Sequence, residues 1–391
     1  MVDLSELKVT GVRAVEVRDV PFSTGLIPPW NPSDLITTRD YLVVRVETSA
    51  GIAGIAMDGD YTPALPASAD TVNKVVAPYL VGQRVMDMEA HTAFLHSIRS
   101  QGRLFFIAIA LWDALGKVVG LPLYRMWGGR EKRVLVYAST VQHGRSPEAR
   151  AEDCLRYVEQ GYRAVKLRLS AETVAEDIAL VAACRDAVGD RLDIMVDANQ
   201  AGKGPGSQAP GVHWDLARAQ ETARLLGELD VAYLEEPLPY VLEEDGVRLR
   251  EASPIPIAGG EGKQGARPFW ELLHKGVYDI IQPDPITGGT PTDMLKIRAM
   301  AEAAGTPVVY HHGKSGVGFM IGLQLAAAFG QSPWLEYMDD GEFWQPAGFQ
   351  VGFEHIITLD DEGYVVCPDA PGLGVPWDKD WLNQIGLGAN R

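Results

Sequence analysis

The sequence predicts an α/β protein whose larger part is an eight-stranded β/α barrel. From Val134 onward, short apolar runs alternate with helix-length segments eight times, the pattern of a parallel sheet covered by helices. The polar residues of those runs fall late in each run or just after it, where a β/α barrel gathers its ligand contacts. Before residue 131 the rhythm differs, with two strand-like segments followed by helical stretches, which sets apart a smaller N-terminal unit.

Composition bounds the rest. The 391 residues, 46% of them apolar, suffice for a large barrel with an accessory domain. They exclude a disordered chain and a disulfide-stapled miniprotein. A net charge of −17 repels a phosphate backbone, so no nucleic-acid partner is expected. Cys154, Cys184 and Cys367 are widely separated and read as residues of a reducing compartment. The chain opens Met1-Val2-Asp3-Leu4 with an early acid instead of a basic-then-apolar leader. The run from Leu104 to Leu111 is too short for a bilayer and is followed by Asp113 and Lys117. A cytoplasmic protein without a membrane partner is the expectation.

In the N-terminal unit, Val12 to Val17 and Tyr41 to Thr48 read as strands, the second β-branched and alternating, with a turn at Gly51-Ile-Ala-Gly54. Helical stretches follow near Ala67 to Leu80 and Met86 to Lys117, and Gly120-Leu-Pro122 ends the last one. The barrel candidates begin with Val134 to Ala138, Arg163 to Arg168, Leu192 to Asp197 and Val231 to Glu236. Ile255 to Ala258, Tyr278 to Asp284, Pro307 to His311 and Trp334 to Tyr337 complete the eight.

Lys166 and Arg168 are two apart on a strand and share a face, expected at the barrel mouth. Asp197, Glu235 and Glu261 end strands three, four and five, separated by 38 and 26 residues. Three converging carboxylates repel one another unless a cation neutralises them, and an all-oxygen set suits Mg²⁺, with Mn²⁺ as a substitute. Asn199 and Glu236 are candidates for contacts behind these ligands or with substrate. Asp284 ends the strand before His311 and would fix its tautomer for proton abstraction. A satisfied core histidine is the alternative, and adjacent His312 leaves the choice of partner open. Lys166 could pair with a substrate carboxylate or keep its head in water, and Arg168 is too strong a cation to act as a base. Gly202-Lys-Gly-Pro-Gly-Ser207 lacks the spacing of a phosphate loop. The stretch from Ala201 to Gly211 is a flap or mere ornament, with His213 and Trp214 as the residues to follow if it closes.

Taken together, this set resembles the mandelate racemase branch of the enolase superfamily. The motifs that carry the likeness are Lys166-Leu-Arg168, Asp197-Ala-Asn199, Glu235-Glu-Pro237, Gly260-Glu261, Gln282-Pro-Asp284, Pro307-Val-Val-Tyr-His311 and Trp334-Leu-Glu336. Ala110-Leu-Trp-Asp113 before the barrel and Pro371-Gly-Leu-Gly374 after it are also similar. The resemblance implies a modified (β/α)8 TIM-like barrel over 131–356 under an α+β capping domain, 1–130, completed by 357–391. It implies Mg²⁺ on Asp197, Glu235 and Glu261, proton removal α to a substrate carboxylate by His311 with Asp284, and a metal-stabilised enediolate. Glu336 would hydrogen-bond the enediolate as a protonated acid, which requires its pKa to be raised. Loops near Pro21 to Asp34 and Met57 to Tyr61 would set specificity, with Trp30, Asp58, Asp60 and Tyr61 as contacts to the sugar chain.

One departure directs the functional reading. Racemases of this kind carry a lysine base where Arg168 stands, and a 1,1-proton transfer needs a base on each face of the intermediate. Arg168 leaves His311 alone, which is enough for β-elimination. The expectation is therefore an acid-sugar dehydratase that expels the 3-hydroxyl and gives a 2-keto-3-deoxy acid, with a monoacid slightly preferred because acidic loops would oppose a second carboxylate. The alternatives are a racemase, epimerase or other isomerase of the same superfamily, and a non-catalytic sugar-acid binding protein. Similar proteins form homo-oligomers, dimers or octamers, and the same is expected here.

Overall fold

The computed structural model describes residues 3–60, 68–99, 104–130, 132–312, 315–330 and 333–388, without the side chains of Phe22 and Asp60. Tyr61, one of the predicted specificity residues, lies outside the described residues. The N-terminal unit is an antiparallel meander of β1 (Val9–Leu26), β2 (Ile36–Thr48) and β3 (Ala53–Asp60). The β2–β3 turn has Gly51 in the left-handed region at φ 73°. Both of the first two strands are longer than their apolar runs. β1 passes through Asp19 (φ 53°) and Pro21 by shifting register against β2. A bulge of this kind admits an acid and a proline that would otherwise end a strand. Asp40 on β2 holds that bulge by accepting the Asp19 N–H at 2.9 Å.

One long helical stretch was expected from Met86 to Lys117, and the structure has two helices, Met88–Ser97 and Ile107–Val119. The second lies directly against β3. A Cβ on Gly54 would fall on the Ala110 carbonyl oxygen and 2.6 Å from the Ala114 nitrogen. Asp113 in the same helix is buried and ties three segments together. Its carboxylate accepts the N–H of Ile55 on β3 at 3.0 Å and that of Leu373 near the C-terminus at 2.8 Å. Lys117 Nζ, one turn on, lies 2.6 Å from it. Gly120 then closes the helix at φ 79°, as its sequence position indicated.

The second sheet is parallel, with its strands side by side in chain order and the last of them paired with the first. The strands are β4 (Arg133–Ser139), β5 (Ala164–Arg168), β6 (Asp193–Asp197), β7 (Val231–Glu235), β8 (Ile257–Gly259), β9 (Ile280–Ile281) and β10 (Leu335–Met338). Helices fill the intervals, several started by the caps that the sequence encodes, such as Thr173 with Glu176 and Thr290 with Asp293. Tyr137, Ala164, Met195, Tyr233, Ala258 and Val309 point inward and fill the barrel interior.

Seven of the eight predicted runs form strands. Pro307 to His311 makes a single parallel bridge, Ile281 to Val308, and β9 is two residues long. Pro283 and Pro307 have no N–H to donate, so the ladder there shrinks to three bonds: Ile281 N to Pro307 O, Val309 N to Ile281 O, and His311 N to Pro283 O, at 3.0–3.2 Å. An additional strand, β11 (Tyr364–Val366), runs antiparallel along Arg133–Leu135 of β4. The chain beyond it returns to the N-terminal helices through a bridge between Pro122 and Gly372. No helix among the described residues is long and apolar enough to cross a membrane.

Candidate active site

A cavity of about 480 Å³ opens at the C-terminal ends of the parallel strands, the size of a small-molecule site. Arg168, Asn199, Glu236, Glu261, His311, His312 and Glu336 form its barrel wall, and Trp30, Asn31 and Asp34 from the segment between β1 and β2 face them with Ile36 at the start of β2. The β5 register turns Lys166 and Arg168 to one side. Lys166 is almost sealed from solvent, with Nζ 2.9 Å from both oxygens of Glu235 and 2.9 Å from Glu336 Oε1. Burial opposes its charge, but Glu235 and Glu336 hold the ammonium well above the ordinary lysine range. Arg168 is fixed by Asp197, by the Thr140 carbonyl at 2.6 Å and by Ser139 Oγ at 3.2 Å. Its burial is likewise outweighed by neighbouring carboxylates, Asp197 first, so it stays charged.

The carboxylates sit at strand ends that bend sharply. Asn199 (φ 50°) and Glu236 (φ 44°) follow β6 and β7 in the left-handed region, an unfavoured backbone for residues with a Cβ and a common one at functional sites. Asn199 donates from its N–H to Asp197 at 2.7 Å and from Nδ2 at 3.0 Å. Glu235 also accepts from Gln282 Nε2 at 2.7 Å. Burial, with Asp197 and Glu336 nearby and Lys166 opposing, pushes Glu235 up to about 7. Burial and the neighbouring acids raise Glu236 and Glu261 as well, although His311 opposes the rise at Glu261.

His311 reaches the cavity between three acids. Its Nδ1 is 2.7 Å from Asp284 Oδ2, and its Nε2 is 3.3 Å from Glu261 and 3.9 Å from Glu336. Burial disfavours the imidazolium, yet Glu261, Asp284 and Glu336 together push its pKa up to about 10. His312 differs. Its imidazole packs edge-on against Phe349, its Nε2 is buried with no hydrogen-bond partner among the described residues, and burial pushes it down to about 3. Its backbone N–H donates to Glu336 Oε2 at 2.9 Å. The dyad partner of Asp284 is thus His311.

Glu336 departs from expectation. The enediolate role called for a raised pKa, and burial acts in that direction. Lys166 at 2.9 Å, His311 at 3.9 Å and Arg168 at 4.0 Å outweigh it and hold the carboxyl well below its usual range. In this arrangement Glu336 is an anion that accepts from Ser139 Oγ at 2.6 Å.

The donor set suits a hard divalent cation. Asp197, Glu235 and Glu261 offer only oxygen, Asn199 and Glu236 add more, and burial with the neighbouring acids raises Glu235, Glu236 and Glu261, a cost that a bound cation would relieve. Among the described residues no three His, Cys, Asp or Glu side chains are drawn together as a ligand group. Each of the three carboxylates is turned to a cation instead: Asp197 to Arg168, Glu235 to Lys166, and Glu261 to His311.

Of the residues predicted to touch substrate, Trp30, Asn199, Glu236 and His312 line the cavity. Asp58 does not: it is buried, and its Oδ1 accepts the Gly59 N–H at 2.8 Å. His213 lies exposed with Nε2 on the Ala209 carbonyl at 2.8 Å. Trp214 is buried under the Arg218 guanidinium, 4.9 Å from its ring. The 201–211 loop reaches the cavity through Ala201, Gly202, Lys203 and Ala209 instead. Lys203 and Tyr240 were missed. Lys203 sits inside the glycine-rich run set aside for its spacing. Tyr240, whose hydroxyl donates to Glu236 at 3.0 Å, follows Glu236 by one turn's length and was the available signal.

The comparisons with known proteins agree with this architecture. Residues 24–128 match the family model of the mandelate racemase / muconate lactonizing enzyme N-terminal domain, and residues 149–381 match the enolase C-terminal domain-like model. Arabinonate dehydratase of Saccharolobus solfataricus is 29% identical over 358 residues, covering 88% of each chain. D-galactarolactone cycloisomerase of Agrobacterium fabrum is 27% identical, covering 97% of this chain and 99% of its own. The crystal structure of an enolase superfamily member from Polaromonas sp. JS666 superposes with a TM-score of 0.79 at 26% identity, covering 96% of this chain and 97% of that one.

Proposed function

The chain belongs to the enolase superfamily, in its mandelate racemase / muconate lactonizing branch, and from that premise we propose that it is a Mg²⁺-dependent dehydratase of sugar acids. Asp197, Glu235 and Glu261 would hold the cation, which supplies Lewis-acid polarisation of the substrate carboxylate when bound. His311 Nε2 takes the proton from C2, and Asp284 keeps Nδ1 as the protonated nitrogen so that Nε2 is the one that accepts. Negative charge building on the substrate carboxylate would be met by Arg168 on the cavity wall and by the Lys166 ammonium behind it, already fixed in place by Glu235 and Glu336. The electron pair left at C2 forms a C2–C3 double bond, the C3–O bond breaks, and the proton on His311 leaves with that oxygen as water. The resulting enol tautomerises to a 2-keto-3-deoxy acid.

The observation that carries this reading is the asymmetry of the two basic elements. His311, oriented by Asp284, is charged while Glu261 faces its Nε2 and would become a proton acceptor when that carboxylate turned to the cation, whereas Arg168 is bound to Asp197, Thr140 and Ser139 and keeps its charge. A guanidinium in that position does not return a proton to the opposite face, so inversion at C2 lacks its second base. The likeness to arabinonate dehydratase supports elimination, and the likeness to a cycloisomerase makes isomerisation the competing outcome. A panel of aldonates and aldarates with Mg²⁺ tests it, read by formation of a 2-keto acid and by deuterium at C2 in D₂O. Exchange or inversion at C2 with no 2-keto product overturns dehydration in favour of a racemase or epimerase.

A further inference from the structure

The 201–211 loop places a cation in the cavity that the dehydration does not use. Lys203 is 7% exposed and lines the cavity beside Gly202 and Ala209. Among the described residues its Nζ has one hydrogen-bond partner, the Val212 carbonyl at 3.0 Å. The other cations of the cavity region are paired, Lys166 with Glu235 and Glu336, Arg168 with Asp197, and His311 with Asp284 and Glu261. Among the described residues Lys203 has no such anion. Burial and the Arg218 guanidinium both push its proton affinity below the ordinary lysine range, with no carboxylate acting against them. An ammonium has three donors, and among the described residues one neutral carbonyl takes one of them, which leaves two for a ligand in the cavity.

Its position is set by the loop and not by the barrel wall that carries His311 and Glu261. A Cβ on Gly211 would lie 3.3 Å from Lys203 Nζ and 3.8 Å from the Pro32 ring, so the ammonium stands where this loop meets the segment between β1 and β2. Asp34 in that segment is engaged by Asn31 Nδ2 at 2.6 Å. Asp58, one of the acids expected to oppose a second carboxylate, is turned into the protein.

We propose that Lys203 binds the far carboxylate of the substrate and makes the protein selective for sugar diacids over sugar monoacids. This rests on the sugar-acid reading of the same site and deepens it. A hydroxyl accepts one of the two open donors, whereas a carboxylate accepts both and neutralises the charge.

The test compares the unaltered protein with K203Q and K203R, all with Mg²⁺, by calorimetric binding and by turnover. The paired probes are glucarate with gluconate and galactarate with galactonate. At least one diacid is expected to bind about tenfold or more tightly than its monoacid, a difference of about 1.4 kcal/mol. K203Q removes that advantage and leaves monoacid affinity within about twofold, and K203R keeps most of it. Monoacids bound as tightly as their diacids, or a loss in K203Q shared equally by both, overturns the assignment. Binding is read apart from 2-keto product. A Lys203-dependent diacid preference without dehydration upholds this assignment and removes the dehydratase reading. Dehydration of monoacids and diacids alike, with no diacid preference for K203Q to remove, does the reverse. Unfolding midpoints of the variants separate a folding defect from a binding one.

Discussion

Asp284 Oδ2 lies 2.7 Å from His311 Nδ1, while its other oxygen accepts the backbone N–H groups of Ile286 at 2.6 Å and Thr287 at 2.8 Å. The two N–H donors determine which oxygen faces the imidazole, so the carboxylate has one available orientation. In D284N the amide oxygen takes the backbone donors and the NH₂ faces Nδ1. The imidazole then adopts the other tautomer, with its proton on Nε2 and no base toward the substrate. The expected loss in kcat is about 10²–10⁴-fold with KM little changed, measured by steady-state kinetics. A variant that retains most of its kcat removes His311 as the base.

Arg168 is the second place where one atom type decides the outcome. R168K puts a group that can release a proton where the guanidinium cannot, at the cost of the contacts to Thr140 and Ser139. Dehydration is expected to fall, and deuterium from solvent to enter C2 of recovered substrate about a hundredfold faster than in the unaltered protein. NMR of the recovered acid measures it. Equal exchange in both proteins would mean that the residue at 168 does not decide between elimination and isomerisation.

The parts of this protein legible in the sequence are those that repeat or that obey a local rule. Strand-helix alternation and capping residues such as Thr173 with Glu176 mark the barrel without reference to tertiary contacts. The ends of strands place Lys166, Asp197, Glu235, His311 and Glu336 near one another because a parallel barrel leaves them no other face. What the sequence hid depends on neighbours distant in the chain. The charge state of Glu336 is set by Lys166, His311 and Arg168, from three different segments, and the role implied by the family resemblance required the opposite sign. Asp58 looked like a sugar contact, but its oxygen is spent on the next residue's N–H. The two-residue β9 reflects Pro283 and Pro307 on adjacent segments, a pairing visible only once the register is known.

His312 gives a pH prediction for stability. Burial pushes its pKa down to about 3 in the folded protein, below the ordinary 6.5 that it regains on unfolding. Between those values the unfolded chain binds the extra proton, so stability rises with pH across the window and falls as the solution is acidified below 6.5. One such group contributes a slope of at most about 1.4 kcal/mol per pH unit. H312F keeps the backbone bond to Glu336 and removes the titrating ring. Urea unfolding from about pH 7.5 to 5 should show a flatter curve for H312F than for the unaltered protein. Parallel curves would show that the imidazole takes up its proton in the folded state.

Removal of divalent metal connects the site to the stability of the whole chain. Glu235 is pushed up to about 7 by burial and by its acidic neighbours, and Glu236 and Glu261 are raised for the same reason. Carboxylates held against their preference in this way gain most from a cation that binds only the folded state. Chelation is therefore expected to abolish turnover and lower the unfolding midpoint. Returning Mg²⁺ to about a hundred times its dissociation constant should restore about 2.7 kcal/mol. E261Q weakens the donor set without touching the Lys166 contacts, so its midpoint should respond less to added Mg²⁺. Differential scanning calorimetry with and without chelator reads both effects. A midpoint that ignores Mg²⁺ in the unaltered protein, with turnover surviving chelation, would mean that Lys166, Arg168 and His311 alone balance these acids and that the metal has no place among them.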